Sequence, residues 1–133
     1  MRFKLKEEEI LEALRLHYPE QTFDKGRLLV GQNKRNNLHV FYLGEQDYFA
    51  VLTVEFTTFN FIETSLFPKS QISEIRLKDA LLFRKMYVTF ELDGSVAKYG
   101  TSKALISDFQ QANYNKFIDG EKEKVIYKDG KFL

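Results

Sequence analysis

Few side chains of this sequence could carry chemistry, and the clearest candidates are basic. Lys34 and Arg35 are adjacent in a polar stretch, and His39 follows on the next predicted strand. Cations grouped in this way could bind an anionic lipid headgroup or a small acid, so these three residues are the predicted anion-binding site. At an anionic membrane surface each charge contributes about 1 kcal/mol, which allows at most weak peripheral contact. An exposed polar β-turn explains the same residues without a ligand.

The sequence gives little support for catalysis or for metal and cofactor chemistry. It contains no cysteine, and its two histidines are His17 and His39. A nucleophile needs an activating base, but His17 falls at a predicted helix end, where the helix dipole explains it better. The acidic run at residues 7–9 is best interpreted as the first turn of that helix, with a carboxylate pair for acid–base catalysis as the alternative. We predict no catalytic residue, no metal site and no cofactor.

The composition is that of a folded domain without a strong charge preference. The chain has 133 residues and a net charge of +1, from 20 basic and 19 acidic side chains. Such a balance gives no field to attract nucleic acid, so no nucleic-acid partner is expected. The absence of cysteine and of an apolar leader predicts a cytoplasmic protein. No stretch is long and apolar enough to predict a membrane span.

The candidate residues would be positioned by a helix, a run of strands and a second helix. Apolar residues at spacings of three and four predict the first helix over Glu7–His17, which Pro19 ends. An apolar stripe predicts the second helix over residues 103–118. The stripe consists of Leu105, Ile106, Phe109, Ala112 and Phe117.

Alternating patterns between turn residues predict seven strands. They cover residues 27–32, 38–43, 48–56, 59–64, 72–77, 82–92 and 95–101. Thirteen phenylalanines and seven tyrosines agree with this, because aromatic side chains suit a pleated, half-buried surface. Asp93-Gly94 predicts a type I′ hairpin turn, and residues 125–133 could form a further small hairpin. A flat sheet would leave two open edges, so we expect a single, mainly β (α+β) domain built on a strongly bent antiparallel sheet or partly open barrel.

Residues 67–117 resemble the closing half of bacterial pleckstrin-homology-like (PH-like) domains, which are related to GRAM domains. The matching pieces are Phe61-Ile62-Glu63-Thr64, Phe67-Pro68-Lys69-Ser70-Gln71-Ile72-Ser73-Glu74-Ile75, the strand and turn at residues 86–94, and the closing helix. The whole resemblance covers residues 26–118. It implies a bent sheet of about seven strands capped by a C-terminal helix, with residues 1–25 as an N-terminal helical extension and residues 119–133 as a charged tail.

The resemblance also implies binding or assembly rather than catalysis. Some bacterial domains of this type form oligomers, and eukaryotic relatives bind phosphoinositides through the first strand–loop–strand. This chain has Lys34, Arg35 and His39 in that position, although the spaced basic motif of the relatives is incomplete. Phe109 stands nearest to the place of their closing-helix tryptophan.

We therefore expect a non-enzymatic module that acts through protein–protein contacts, above all self-association. The reason is that several strands are apolar on both faces and the first helix carries an apolar stripe. The alternative is a weak module for an anionic lipid headgroup or small acid at the predicted anion-binding site. A further alternative is a helix held in a curved sheet, as in the cystatin and nuclear-transport-factor types, which can house an enzyme pocket.

Overall fold

The computed structural model describes residues 4–133, which form one rolled antiparallel sheet with two helices. Helix α1 spans Glu7–His17 and helix α2 spans Gln110–Ile118. The nine strands within the described residues are β1 Leu28–Lys34, β2 Asn37–Tyr42, β3 Tyr48–Glu55, β4 Phe61–Pro68, β5 Ile72–Asp79, β6 Phe83–Phe90, β7 Val96–Ser102, β8 Glu123–Lys128 and β9 Lys131–Phe132. Their order is β4-β3-β2-β1-β7-β6-β5-β8-β9. The mainly β class and the bent sheet, curled into a half-barrel, are confirmed.

Helix α1 covers the outer face of strands β1–β3, opposite the interior of the half-barrel. Its side chains Ile10, Leu11 and Leu14 are buried in one core with alternate residues of these strands, such as Val40 and Leu52. This cover explains why the strands are apolar on both faces. The apolar stripe of α1 is likewise used inside the chain, so neither feature indicates a surface for a partner.

A second core fills the interior of the half-barrel. Phe41 and Val51 from the first strands meet Ile75 and Val88 from the later strands, and Tyr114 enters from α2. Side chains alternate between the two faces of a strand, so β1–β3 supply both cores at once. This arrangement places His39, which alternates with Val40, on the inner face.

Helix α2 lies beside β1, along much of the edge that faces β7. In the described part of the chain, the backbone ladder between β1 and β7 consists of the pair Gln32 and Gly100. The Thr101 hydroxyl of β7 also donates to the Val30 carbonyl. At the neighbouring position, Gln110 Oε1 accepts the Val30 N–H at 2.8 Å and Gln110 Nε2 donates to the Val30 carbonyl at 3.1 Å. Asn113 Nδ2 donates to the Leu28 carbonyl at 3.0 Å. The amide side chains of α2 therefore act as a substitute strand.

The same network ties α2 to α1. Besides Leu28, Asn113 Nδ2 lies 3.0 Å from Glu7 Oε2, and this oxygen also accepts the Gly26 N–H at 3.0 Å. The Glu7 N–H in turn donates to the Asp108 carboxylate at 2.8 Å. Glu7 thus has a structural role at the start of α1, in agreement with the interpretation of the acidic run as a helix start.

The closing helix is shorter than the predicted span of residues 103–118, because it begins at Gln110. Residues 106–108 are held by the segment before α1: the Leu5 N–H donates to the Ile106 carbonyl and the Asp108 N–H donates to the Leu5 carbonyl, both at 3.0 Å. Backbone groups used in this way cannot continue a helical ladder. The predicted stripe is wrong in part, since Ile106 is 60% exposed. The residues that α2 buries are Gln110, Asn113, Tyr114 and Ile118.

Two details of the hairpins also differ from expectation. The type I′ turn is wrong because Gly94 has a φ of 69° while Asp93 does not have a positive φ. The loop has four residues, closed by the Phe90 N–H on the Ser95 carbonyl at 2.9 Å. The predicted terminal hairpin is present as β8 and β9, and β8 pairs with β5. The sheet therefore has nine strands within residues 4–133, rather than about seven.

Replacing Gln110 by alanine should destabilise the protein by about 2 kcal/mol, because the buried Val30 N–H loses its partner and the Val30 carbonyl keeps only the Thr101 hydroxyl. The adjacent Gln111→Ala is the matched control. Gln111 is exposed, so its loss should change stability by less than about 0.5 kcal/mol. Urea unfolding followed by circular dichroism gives both values. Equal midpoints for the two variants would show that the amide does not support β1.

Candidate functional site

The inner face of the half-barrel carries a row of side chains that runs across the first four strands. Backbone pairing aligns Gly31 with His39, His39 with Thr53, and Thr53 with Glu63. We call Gly31, His39, Thr53 and Glu63 the polar row. The next row along the same face, Leu29, Phe41, Val51 and Ser65, is apolar except for its last member. A polar strip thus borders an apolar surface inside one concavity.

Tyr99 of β7 lies over the polar row at its Gly31 end. A Cβ atom at Gly31 would stand 2.6 Å from the Tyr99 Cβ, a distance that real atoms do not tolerate. The absence of a side chain at Gly31 therefore lets β7 bring its ring over His39, with ring centroids 6.0 Å apart and the planes nearly perpendicular. Tyr99 also packs on Phe41 at 4.7 Å. Burial raises the pKa of the Tyr99 hydroxyl.

His39 is held in one orientation by its neighbours on the row. Its Nδ1 atom is hydrogen-bonded to the buried Thr53 hydroxyl at 3.1 Å. Burial lowers the pKa of His39, and the nearby positive charge of Lys34 lowers it further, whereas Glu63 acts in the opposite direction. The ring is consequently neutral near pH 7 and presents one donor and one acceptor.

The three residues of the predicted anion-binding site are divided between two places. Lys34 ends β1, and Arg35 lies in the turn before β2. Both are exposed, and neither forms an ion pair with another described residue. Lys34 is close enough to influence His39, but Arg35 is not among the charges that act on that ring. His39 faces the concavity with Thr53 and Glu63, so the structure does not bring the predicted three together as one cluster.

Thr53, Glu63 and Tyr99 were missed because they come from three different strands. One signal was available for Thr53: the inner-facing series of β3 changes from the apolar Phe49 and Val51 to the polar Thr53 and Glu55. The alignment of Glu63 with Thr53 follows from the β3–β4 register, which is continuous from Tyr48 and Pro68 to Thr53 and Glu63. Within residues 4–133, no group of three or more histidine or acidic side chains is placed to hold a metal ion. No helix in this range is long and apolar enough to cross a membrane.

Strand β4 forms one edge of the sheet and borders the same concavity. It has eight residues, and its described pairing is with β3 alone. Ile62 and Phe67 are 52% and 37% exposed, and Glu63 is its single charged residue. The opposite edge, β9, has only two residues. The sheet therefore has one long edge with an apolar character.

The sequence matches no protein-family model, and it has no detectable relative among curated proteins or solved structures.

The His39 ring should titrate below a histidine in a short unfolded peptide. Lys34→Ala removes a positive neighbour and should raise the midpoint, whereas Glu63→Gln removes a negative neighbour and should lower it. Because the unfolded chain takes up this proton first, acidification through the same range should also reduce the free energy of unfolding. Proton NMR titration of the ring signals measures the midpoints, with His17→Gln to assign them.

Arg35→Ala is the control for this titration, since it removes the same type of charge one residue further along. It should leave the His39 midpoint unchanged. If Lys34→Ala and Glu63→Gln shifted the midpoint in the same direction, the described polar row would be wrong.

Proposed function

We propose that this chain is a non-enzymatic assembly domain of the PH-like type and that it self-associates through β4. The observation that carries the proposal is the long apolar edge of the sheet. An exposed edge strand is a template for pairing with another chain, and proteins that must stay monomeric protect such edges with charges, prolines or short strands. In β4 the protection amounts to Glu63, a bulge opposite its first residues and Pro68 at its end.

The strand order supports the PH-like part of the proposal. Strands β1–β4 form one up-and-down meander and strands β5–β7 form another, the two are joined where β1 lies next to β7, and helix α2 is the next element after β7. A bent sheet followed by a helix is the arrangement that the resemblance implies for such a domain, and this agreement supports the proposal. Helix α1 and the β8–β9 hairpin are additions to that plan.

The sequence of β4 also suits antiparallel pairing with a second copy. In a two-fold arrangement centred on Thr64, Ile62 stands opposite Leu66 of the second copy and Glu63 stands opposite its Ser65. Thr64 then pairs with itself, which is a favourable cross-strand pair. No pair of like charges is brought together, and an isologous interface of this kind closes as a dimer.

The weaker alternative of anionic headgroup binding rests on the exposed, ion-pair-free Lys34 and Arg35 described above. Two charges contribute only about 2 kcal/mol at a membrane surface. Binding to vesicles that contain anionic lipid would therefore be weak, would disappear at high salt and would be lost in Lys34→Ala. A flotation assay that finds no binding even at low salt excludes this alternative.

The dimer is tested by light scattering on eluted protein. The wild-type chain should have twice the monomer mass of 15.7 kDa at micromolar concentration. Ile62→Lys places a charge on the paired edge and should give the monomer. Leu92→Lys is the matched control, because Leu92 is 98% exposed in the β6–β7 loop, and this variant should stay dimeric.

A wild-type mass of 15.7 kDa at the highest concentration that stays in solution would refute self-association. A dimer that persists in Ile62→Lys would place the interface elsewhere.

A further inference from the structure

The concavity of the half-barrel encloses an apolar cavity of about 70 Å³ next to the polar row. Its walls come from both halves of the sheet and include Phe41, Val51, Phe67, Ile75, Val88 and Tyr99. Phe41 and Tyr99 are also the rings that pack against His39. The cavity and the polar row are thus two parts of one continuous surface.

The cavity is too small for a whole aromatic ligand. An apolar cavity of roughly 150 Å³ takes benzene, and this one has about half that volume. It does have room for the end of an alkyl chain. Phe67 is the most exposed of the walls named above, so the opening lies on the side of β4 and the rest of a chain could lie along the inner face.

The distance to the polar row sets the length of such a chain. Phe49, which also lines the cavity, precedes Thr53 of the polar row by four residues on β3. Strand residues advance about 3.4 Å each, so the far wall at Phe49 lies roughly 14 Å from Thr53 along the strand and the near wall at Val51 lies roughly 7 Å from it. A single alkyl chain of medium length covers a distance in this range when extended.

We propose that the half-barrel binds a single-chain amphiphile, with the end of its alkyl chain in the cavity and a hydroxyl or amino head on the polar row. The geometry points to this class because the concavity is apolar along its base and ends on hydrogen-bonding groups. Ligand sites in proteins have this character, with a mostly apolar lining and a few placed polar groups. The site is separate from the outer edge of β4 and does not depend on self-association.

The polar row selects the head by its charge. Glu63 belongs to the row and supplies a carboxylate, which accepts hydrogen bonds from an alcohol or an ammonium group. His39 is neutral and adds one acceptor or donor beside the Thr53 hydroxyl. Lys34 acts on His39 but lies beyond the row, at the exposed end of β1. The carboxylate head of a fatty acid would lie next to the Glu63 carboxylate, and the two negative charges would repel each other.

The probes are octylamine, octanol and octanoate, used below the concentrations at which they aggregate. Met86 lines the cavity and is one of two methionines in the chain, the other being Met1. Labelled methionine methyl groups therefore report on the cavity directly by NMR. The amine and the alcohol should shift the Met86 signal in a saturable way, and octanoate should bind more weakly.

Two substitutions test separately the binding of the alkyl chain in the cavity and the binding of the head group on the polar row. Val88→Phe fills the cavity and should abolish the Met86 shift with all three probes. Val96→Phe makes the same change at an exposed position of β7 and should leave binding intact, and melting curves confirm that both variants fold. Glu63→Gln should weaken octylamine by about fivefold and remove the preference over octanoate.

Running the titrations in the Ile62→Lys background distinguishes this inference from the proposed dimer, because the cavity should bind in a monomer as well. Octanoate binding as tightly as octylamine would overturn the assignment of the head. If none of the probes moved the Met86 signal in either background, the site as a whole would be refuted.

Discussion

The backbone edge of β1 is the constraint on which the rest of the fold depends. Over Leu28–Val30 this strand pairs with β2 on one side, and its other side meets α2 together with the Thr101 hydroxyl of β7, which donates to the Val30 carbonyl. Unpaired backbone groups in such a buried place would cost about 1–3 kcal/mol each. Gln110 and Asn113 remove this cost by bonding Val30 and Leu28. In doing so they fix the position of α2, and through Glu7 they fix α1 on the other face of the same strand.

Local patterns predicted the strands well, because alternation and turn residues act within one segment. The first helix was predicted with its observed bounds, and all seven predicted strands exist as β1–β7, with ends displaced by a few residues. The role of α2 could not be predicted in this way. Gln110 and Asn113 look like residues of a solvated helix face, and only the neighbouring open strand makes them core residues. Likewise, the sequence of β8 has the composition of a charged tail, and it forms a strand because it pairs with the edge of β5.

The prediction of a site was limited for the same reason: residue type can be read within one segment, but contacts between segments that are distant in sequence cannot. His39 was recognised from its residue type, but its partners Thr53 and Glu63 depend on the register of two hairpins. Lys34 and Arg35 were grouped with it because they are near in sequence. Lys34 pairs with Asn37 at the exposed end of β1, and Arg35 lies in the turn that follows. The sequence correctly indicated that several strands are apolar on both faces. The reason is that α1 covers their outer face, and not that a second protein does.

Strand β4 connects the two proposed binding events. Its edge would pair with a second copy, while its inner face supplies Phe67 to the cavity and Glu63 to the polar row. Pairing along the edge would hold the strand in its extended form, and a ligand that contacts Phe67 and Glu63 needs the same form. Two events that favour one conformation strengthen each other by equal factors, because binding linkage is reciprocal. The size of this coupling depends on how often β4 leaves the extended form when neither partner is bound. If β4 is already fully extended, neither binding event can increase the population that the other needs, and the coupling is zero.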